Sequence, residues 1–274
     1  MIAVYIILAV IIVVCAWLFL IAPGDNEKME QLKSVRYAHR GLHGTVGGEE
    51  FAAENSMTAF KRAKEHGFGI ELDVRVSKDG EVVVFHDETV DRVTGGEGRV
   101  SDLTLDELKA LSLMGTEDTV PTLKEVLELI DGAVPLLVEI KEKALDHTIS
   151  EKTAEVLKGY EGELLIESFS PLAFGAIKKH LPKVPRGFLA DKHTNYEKTR
   201  TLLHRIIQRF LMNFIARPSF IAMNLKTPTL FPMPVIKAIF KTPMIAWTVR
   251  SREEEIEAYK NGFSGVIFEN YIPE

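Results

Sequence analysis

Glu71 and Asp73 stand two apart in the run I-E-L-D-V-R-V-S-K-D-G-E-V-V-V-F-H-D-E over residues 70–88. On a strand that spacing points both carboxylates to one face. Val74, Val76, Val82, Val84 and Phe85 flank the turn signal Lys78-Asp79-Gly80, so the stretch reads as a strand, a tight turn and a return strand. The return carries His86 and Asp87 back toward the carboxylates. Gathered carboxylates repel one another and lose hydration, and a hard divalent cation relieves that repulsion. Taken alone, the stretch also fits a solvated hairpin with ordinary surface charges.

The elements around the hairpin separate these readings. Short apolar runs recur at residues 35–38, 70–74, 136–141, 164–169, 186–190, 220–224, 244–249 and 265–269, with helical patterns between them. Continuous apolar runs are what strands buried on both faces of a parallel sheet require. Eight β-α units over residues 35–274 imply an α/β fold, a TIM (β/α)8 barrel with a small inserted segment after the hairpin. A doubly wound sheet is the alternative. Asn55 or Ser56 caps a helix carrying Met57, Phe60 and Ala63. Further helices are expected over 123–130, 147–158, 196–215, 234–241 and 252–260.

Barrel chemistry sits at the C-terminal ends of the strands. His39 and Arg40 end the first, Glu71 and Asp73 the second with His86 brought back by the hairpin, Glu139 and Lys141 the third, Ser168 the fourth, and Trp247 and Thr248 the seventh. Three carboxylates without a thiol suit one Mg²⁺ or Ca²⁺ better than zinc. Arg40 can grip a phosphate oxygen and Lys141 adds a point charge. His39 and His86 can serve as general base and general acid across a displacement at phosphorus.

Residues 2–22 form an uncharged apolar run, ended by Pro23-Gly24. As a helix it spans about 30 Å, the thickness of a bilayer core. No basic residue precedes it, as a cleaved signal peptide would require. It reads as a single-pass membrane anchor over residues 1–23, followed by a polar linker over 24–34. Lys28, Lys33 and Arg36 follow the span, which puts the catalytic part on the cytoplasmic side. The apolar and basic stretch at 202–217 is either a barrel-wall helix or a segment lying in the membrane interface. A formal charge of −6 excludes a nucleic-acid footprint. The single cysteine, Cys15, excludes an internal disulfide.

H-R-G at 39–41, E-N-S at 54–56, E-L-D-V-R-V-S-K-D-G with V-V-V-F-H-D across 71–87 and V-E-I-K at 138–141 carry a family resemblance. P-T-L-K-E-V-L from Pro121, S-F at 168–169 and A-W-T-V at 246–249 extend it. Over residues 35–270 the chain resembles the glycerophosphodiester phosphodiesterase family. The resemblance implies a divalent metal held by Glu71, Asp73 and Glu139, His39 and His86 as the acid/base pair, and Arg40 and Lys141 near the phosphate. It implies attack of a substrate hydroxyl on phosphorus and release of glycerol 3-phosphate and an alcohol. Glu54 supports the ligands or is a further one, Asn55 lies beside it, and Trp247 walls the pocket. A lysophospholipase D acting on membrane lysophospholipids, a related phosphodiester lyase and a non-catalytic lipid-binding protein are the alternatives. The chain departs from the family pattern in Ala53 for a proline, in a glycine-rich loop after His39 expected to form a mobile lid, and in Glu269-Asn270 near the end.

Overall fold

The computed structural model describes residues 1–24, 27–142, 146–191, 202–227 and 231–274. Its strands are β1 (Arg36–Ala38), β2 (Gly69–Val76), β3 (Val82–Val84), β4 (Leu136–Ile140), β5 (Leu164–Ser168), β6 (Arg186–Ala190), β7 (Phe220–Asn224), β8 (Met244–Val249) and β9 (Gly265–Phe268). All but β3 pair in parallel with their neighbours, and β1 pairs with both β2 and β9, so eight strands close a TIM barrel. β3 folds back antiparallel on the end of β2 as the expected arm, with Val74 opposite Val84.

The helices in chain order are α1 (Ile2–Ile21), α2 (Met29–Leu32), α3 (Met57–Glu65), α4 (Asp91–Thr94), α5 (Leu105–Lys109) and α6 (Leu123–Ile130). They continue with α7 (Thr148–Leu157), α8 (Phe174–His180), α9 (Leu202–Gln208), α10 (Asn213–Ala216), α11 (Met233–Val235) and α12 (Arg252–Lys260). Ser56 caps α3 by accepting from the Ala59 N–H, which leaves Asn55 free for another task. The helix expected over 196–215 is broken at Phe210, a buried residue at φ 59° between α9 and α10. Residues 196–201 lie outside the described residues. Over 234–241, α11 runs into a single wide turn at Ile236–Phe240.

Strand alternation builds two cores from the same strands. Ile70, Leu72 and Val74 of β2 and Leu136, Val138 and Ile140 of β4 face outward, against helix residues such as Phe60, Val126 and Ile130. Leu137, Leu165, Leu189, Phe220, Ile245 and Ile267 fill the interior. By the same alternation Glu71, Asp73, Glu139 and Glu167 project into the barrel, one layer above these apolar residues. Register sets Asp73 beside Glu139 and Glu139 beside Glu167.

The segment expected as a polar linker does structural work. Met29 and Leu32 on α2 are buried with the interior residues, and the Tyr37 hydroxyl donates to the Leu32 carbonyl at 3.1 Å. α2 therefore floors the barrel beneath β1. The glycine-rich loop is also tied down. The Leu42 N–H donates to the Ala59 carbonyl, Gly44 and Ala52 exchange backbone bonds, and Leu42 and Val46 are buried. Gly41 is required there: at φ 78° any Cβ would meet the Ala59 backbone at 2.9 Å.

Candidate active site

The strand ends place the expected residues around one cavity of about 660 Å³, lined by His39, Arg40, Glu71, Arg75, His86, Glu139, Lys141, Glu167, Phe169 and Trp247 among others. Glu71, Asp73 and Glu139 are buried, with one oxygen of each within 4.8 Å of the others. The Lys141 ammonium stands 2.9 Å from Asp73 and 2.7 Å from Glu139. The Arg40 backbone N–H donates to Glu71 at 2.8 Å.

Burial, with repulsion from Asp73 and Glu139, pushes the Glu71 carboxyl well above the usual range. Burial also raises Glu139, against the pull of Lys141. Asp73 goes the other way: burial alone would raise it, but Lys141, His86, Arg40 and a hydrogen bond from Asn55 together hold it well below. A buried set of oxygen donors with too little positive charge is the environment that a hard divalent cation fits. Glu71, Asp73 and Glu139 are the residues that would hold it.

Each histidine is backed by a carboxylate. His39 Nδ1 lies 2.5 Å from Glu269, which also accepts from Arg250 Nε at 2.7 Å. Burial is the main cause that lowers the His39 pKa to about 4, and Arg40 adds to it. Glu269 is held well below the carboxylate range despite its own burial, by His39 and His43. The neutral imidazole thus donates from Nδ1 to Glu269 and leaves Nε2 as a base. His86 Nδ1 lies 2.6 Å from Asp87. Its carbonyl accepts two bonds from the Arg75 guanidinium, at 2.9 and 2.7 Å, which pin the returning arm.

Glu54 bridges Arg40, at 2.8 Å, and Arg92, at 2.7 Å. It fixes the Arg40 guanidinium and stands outside the carboxylate cluster. Asn55 Nδ2 donates to Asp73 at 2.8 Å. Arg40 and Asn55 both hold φ of 54°, a left-handed conformation that costs a non-glycine residue energy and is kept where surrounding contacts fix it, often at functional sites. Trp247 packs edge-on against Phe169, ring centroids 5.9 Å apart, and the pair forms an apolar wall.

Glu167, Asp87 and Glu269 take places in the site that the motif spacing does not indicate. Ser168 does not serve the mouth; its hydroxyl donates to the Ile140 carbonyl, and Glu167 before it faces the cavity instead. Counting inward positions along β5 would have found it. Asp87, expected to return beside the carboxylates, and Glu269, expected as a departure from the family pattern, back the two histidines.

The geometry has a counterpart in known proteins. Residues 39–271 match the model of the glycerophosphoryl diester phosphodiesterase family. The chain belongs to that family. Membership places it among the phosphoric diester hydrolases. It is 43% identical over 170 residues to a glycerophosphodiester phosphodiesterase of Caldanaerobacter subterraneus subsp. tengcongensis, covering 58% of this chain and 67% of that protein. Among solved structures, it resembles glycerophosphodiester phosphodiesterase from Thermotoga maritima at 28% identity and a TM-score of 0.64, over 85% of this chain and 93% of that one. It also shares the fold of an Oleispira antarctica phosphodiesterase solved with the product sn-glycerol-3-phosphate, at 24% identity and a TM-score of 0.70, over 87% and 94%.

Within this family member, Glu269 sets the tautomer of His39. In Glu269→Gln an amide N–H can face Nδ1 and force the proton onto Nε2, which would remove the base that His39 is expected to supply. A fall in kcat of about tenfold or more is expected, with Glu269→Asp recovering part of it and melting temperature little changed. Equal kcat in all three proteins would show that the contact has no part in catalysis.

Proposed function

We propose that the chain hydrolyses glycerophosphodiesters to glycerol 3-phosphate and an alcohol. The observation that carries this reading is the pairing of two carboxylate-backed histidines across a cavity whose floor is the Glu71, Asp73 and Glu139 cluster. The substrate phosphate lies against Arg40 and Lys141. His39 Nε2 takes the proton of a glycerol hydroxyl as its oxygen bonds to phosphorus. The bond to the alcohol oxygen breaks, and that oxygen takes a proton from His86. Water then opens the cyclic phosphate with the two histidines in exchanged roles. Glu71, Asp73 and Glu139 would hold a Mg²⁺ or Ca²⁺, which would supply charge stabilisation at the phosphoryl oxygens. The Trp247 and Phe169 wall shapes the space for the glycerol end.

The test is incubation of the purified chain and a divalent salt with glycerophosphocholine, following glycerol 3-phosphate and choline. Release of both in equal amounts is expected. No release of either defeats the reading, and accumulation of a cyclic phosphate as final product makes the chain a lyase.

α1 is long and apolar enough to cross a membrane, and its end is built into the barrel. Ile21 is fully buried. Asn213 Nδ2 donates to the Ile21 carbonyl at 2.9 Å and Arg217 to the Ala22 carbonyl at 3.1 Å. A leader destined for removal has no reason to contribute to the core. These contacts support a retained single-pass anchor, with Lys28, Lys33 and Arg36 favouring a cytoplasmic barrel.

A further inference from the structure

α1 touches the barrel at two heights, and those contacts give it a direction. Its C-terminal end lies at the floor. There the Gly24 N–H donates to the Pro218 carbonyl at 2.9 Å, in the turn that leads from α10 into β7. Pro23, Gly24 and Ser219 share a hollow there with Phe240 and Thr242, which close the return toward β8. Earlier in the helix, Trp17 stacks on Phe231 with ring centroids 5.8 Å apart and planes 8° from parallel. Phe231 precedes α11, in the connection that follows the C-terminal end of β7, so it belongs to the catalytic end. Followed toward its N-terminus, α1 therefore climbs from floor to catalytic end. Residues 1–16, all exposed, continue beyond it.

Separate exposed apolar side chains stand at the catalytic end, where α1 leaves the barrel. Phe231 is 62% exposed and Leu202, which opens the return from the β6 side, 74%. Phe51 on the loop after β1 and Met114 in the inserted arm are also exposed, and both segments belong to the catalytic end. The floor end also carries exposed apolar side chains, Ile239 beside Phe240 and Tyr259 in the last turn of α12, so the direction of α1 carries the orientation. Residues 1–16 extend about 24 Å as a helix, less than the roughly 30 Å of a bilayer core, so a bilayer that they cross must reach down to the rim they leave past.

We infer that the membrane covers the catalytic end: the barrel docks mouth-down on a phospholipid bilayer, with Trp17, Phe231, Phe51 and Leu202 in the interface, and takes acylated glycerophosphodiesters such as lysophospholipids from that surface. The inference rests on the proposed diesterase activity for its substrate and on geometry alone for its orientation. Trp17 is of the type that favours the headgroup layer, and the apolar Phe231, Phe51 and Leu202 side chains gain by leaving water there. A diester held by one acyl chain presents its phosphate at that depth, so a mouth facing the bilayer reaches it with the chain still in the lipid.

The test uses the full chain with Cys15→Ser, reconstituted in phosphatidylcholine vesicles. An environment-sensitive fluorophore is placed at Phe231→Cys or, at the floor, at Glu161→Cys. Brominated phosphatidylcholine is expected to quench the first probe and leave the second unquenched; quenching of the Glu161 probe, or of neither, overturns the orientation. In the same vesicles, the Phe51→Asp, Phe231→Asp double variant is expected to lose about tenfold or more of its turnover of embedded lysophosphatidylcholine, with glycerophosphocholine hydrolysis unchanged. Equal losses on both substrates, or none, overturn the role of the rim. Failure of the parent chain to cleave glycerophosphocholine defeats the proposed activity instead, and the quenching result still decides the orientation.

Discussion

Replacing His39 with alanine is expected to lower kcat by about two to four orders of magnitude, the usual worth of a positioned general base. Nδ1 is committed to Glu269 at 2.5 Å, so Nε2 is the only ring nitrogen left for substrate. Burial and the neighbouring Arg40 lower the pKa of the ring to about 4. At neutral pH it is therefore unprotonated and ready to accept. The acid limb of kcat/KM should accordingly lie below the 6.5 of a free histidine. The same shift enters stability with a definite sign. A base whose pKa is depressed by folding binds fewer protons when folded, so its contribution is intact above about 6.5 and lost as pH falls through about 4. His39→Ala should abolish the catalytic limb and flatten that part of the stability profile. Circular dichroism and melting curves at pH 7 separate this from unfolding. A variant with near-parental kcat would remove His39 from the chemistry.

Sequence pattern exposed the barrel because its strands are short apolar runs, such as L-L-V-E-I at β4 and L-L-I-E-S at β5, each carrying one inward carboxylate. The hairpin was legible for a related reason: Asp79-Gly80 marks a turn, and the spacing of Glu71 and Asp73 marks a face. The partners of the histidines were harder to see. Glu269 lies 230 positions from His39, and only closure of β9 against β1, with Phe268 beside Ala38, brings them together. Once eight strands are accepted, that closure follows, and the residues after Phe268 and Ala38 become neighbours. Asp87 touches His86 at the next position, yet its function depends on how the arm re-enters the mouth. Polarity misled at the linker: Met29 and Leu32 are isolated apolar residues among charged ones, and they are buried because the barrel floor is open to receive them.

Glu71→Gln is expected to abolish both catalysis and the response to divalent ions, and to make the ion-free protein more stable. Three carboxylates with oxygens within 4.8 Å repel by at least about 3 kcal/mol per ionised pair at an effective dielectric near 20. Lys141 and Arg40 offset only part of this, which is why the Glu71 carboxyl is raised well above its usual range. The protonated form is the one that the ion-free fold favours. Its stabilisation is present in acid and lost as pH rises through the raised pKa. Glutamine copies that protonated form and can still accept the Arg40 N–H, so it retains the stabilisation at neutral pH. A divalent ion instead binds the ionised cluster, and at about 100 times its dissociation constant adds about 2.7 kcal/mol. For a domain of this size that is a rise in melting temperature of about 5–10 °C. The parent protein should show this rise with Mg²⁺ or Ca²⁺, lose it in EDTA together with activity, and recover both on readdition. Glu71→Gln should melt above the EDTA-treated parent and shift with neither ion. A parent indifferent to EDTA in both activity and melting would remove the metal from the mechanism. A glutamine variant that melts below the ion-free parent would show that repulsion in the cluster is already balanced by Arg40 and Lys141.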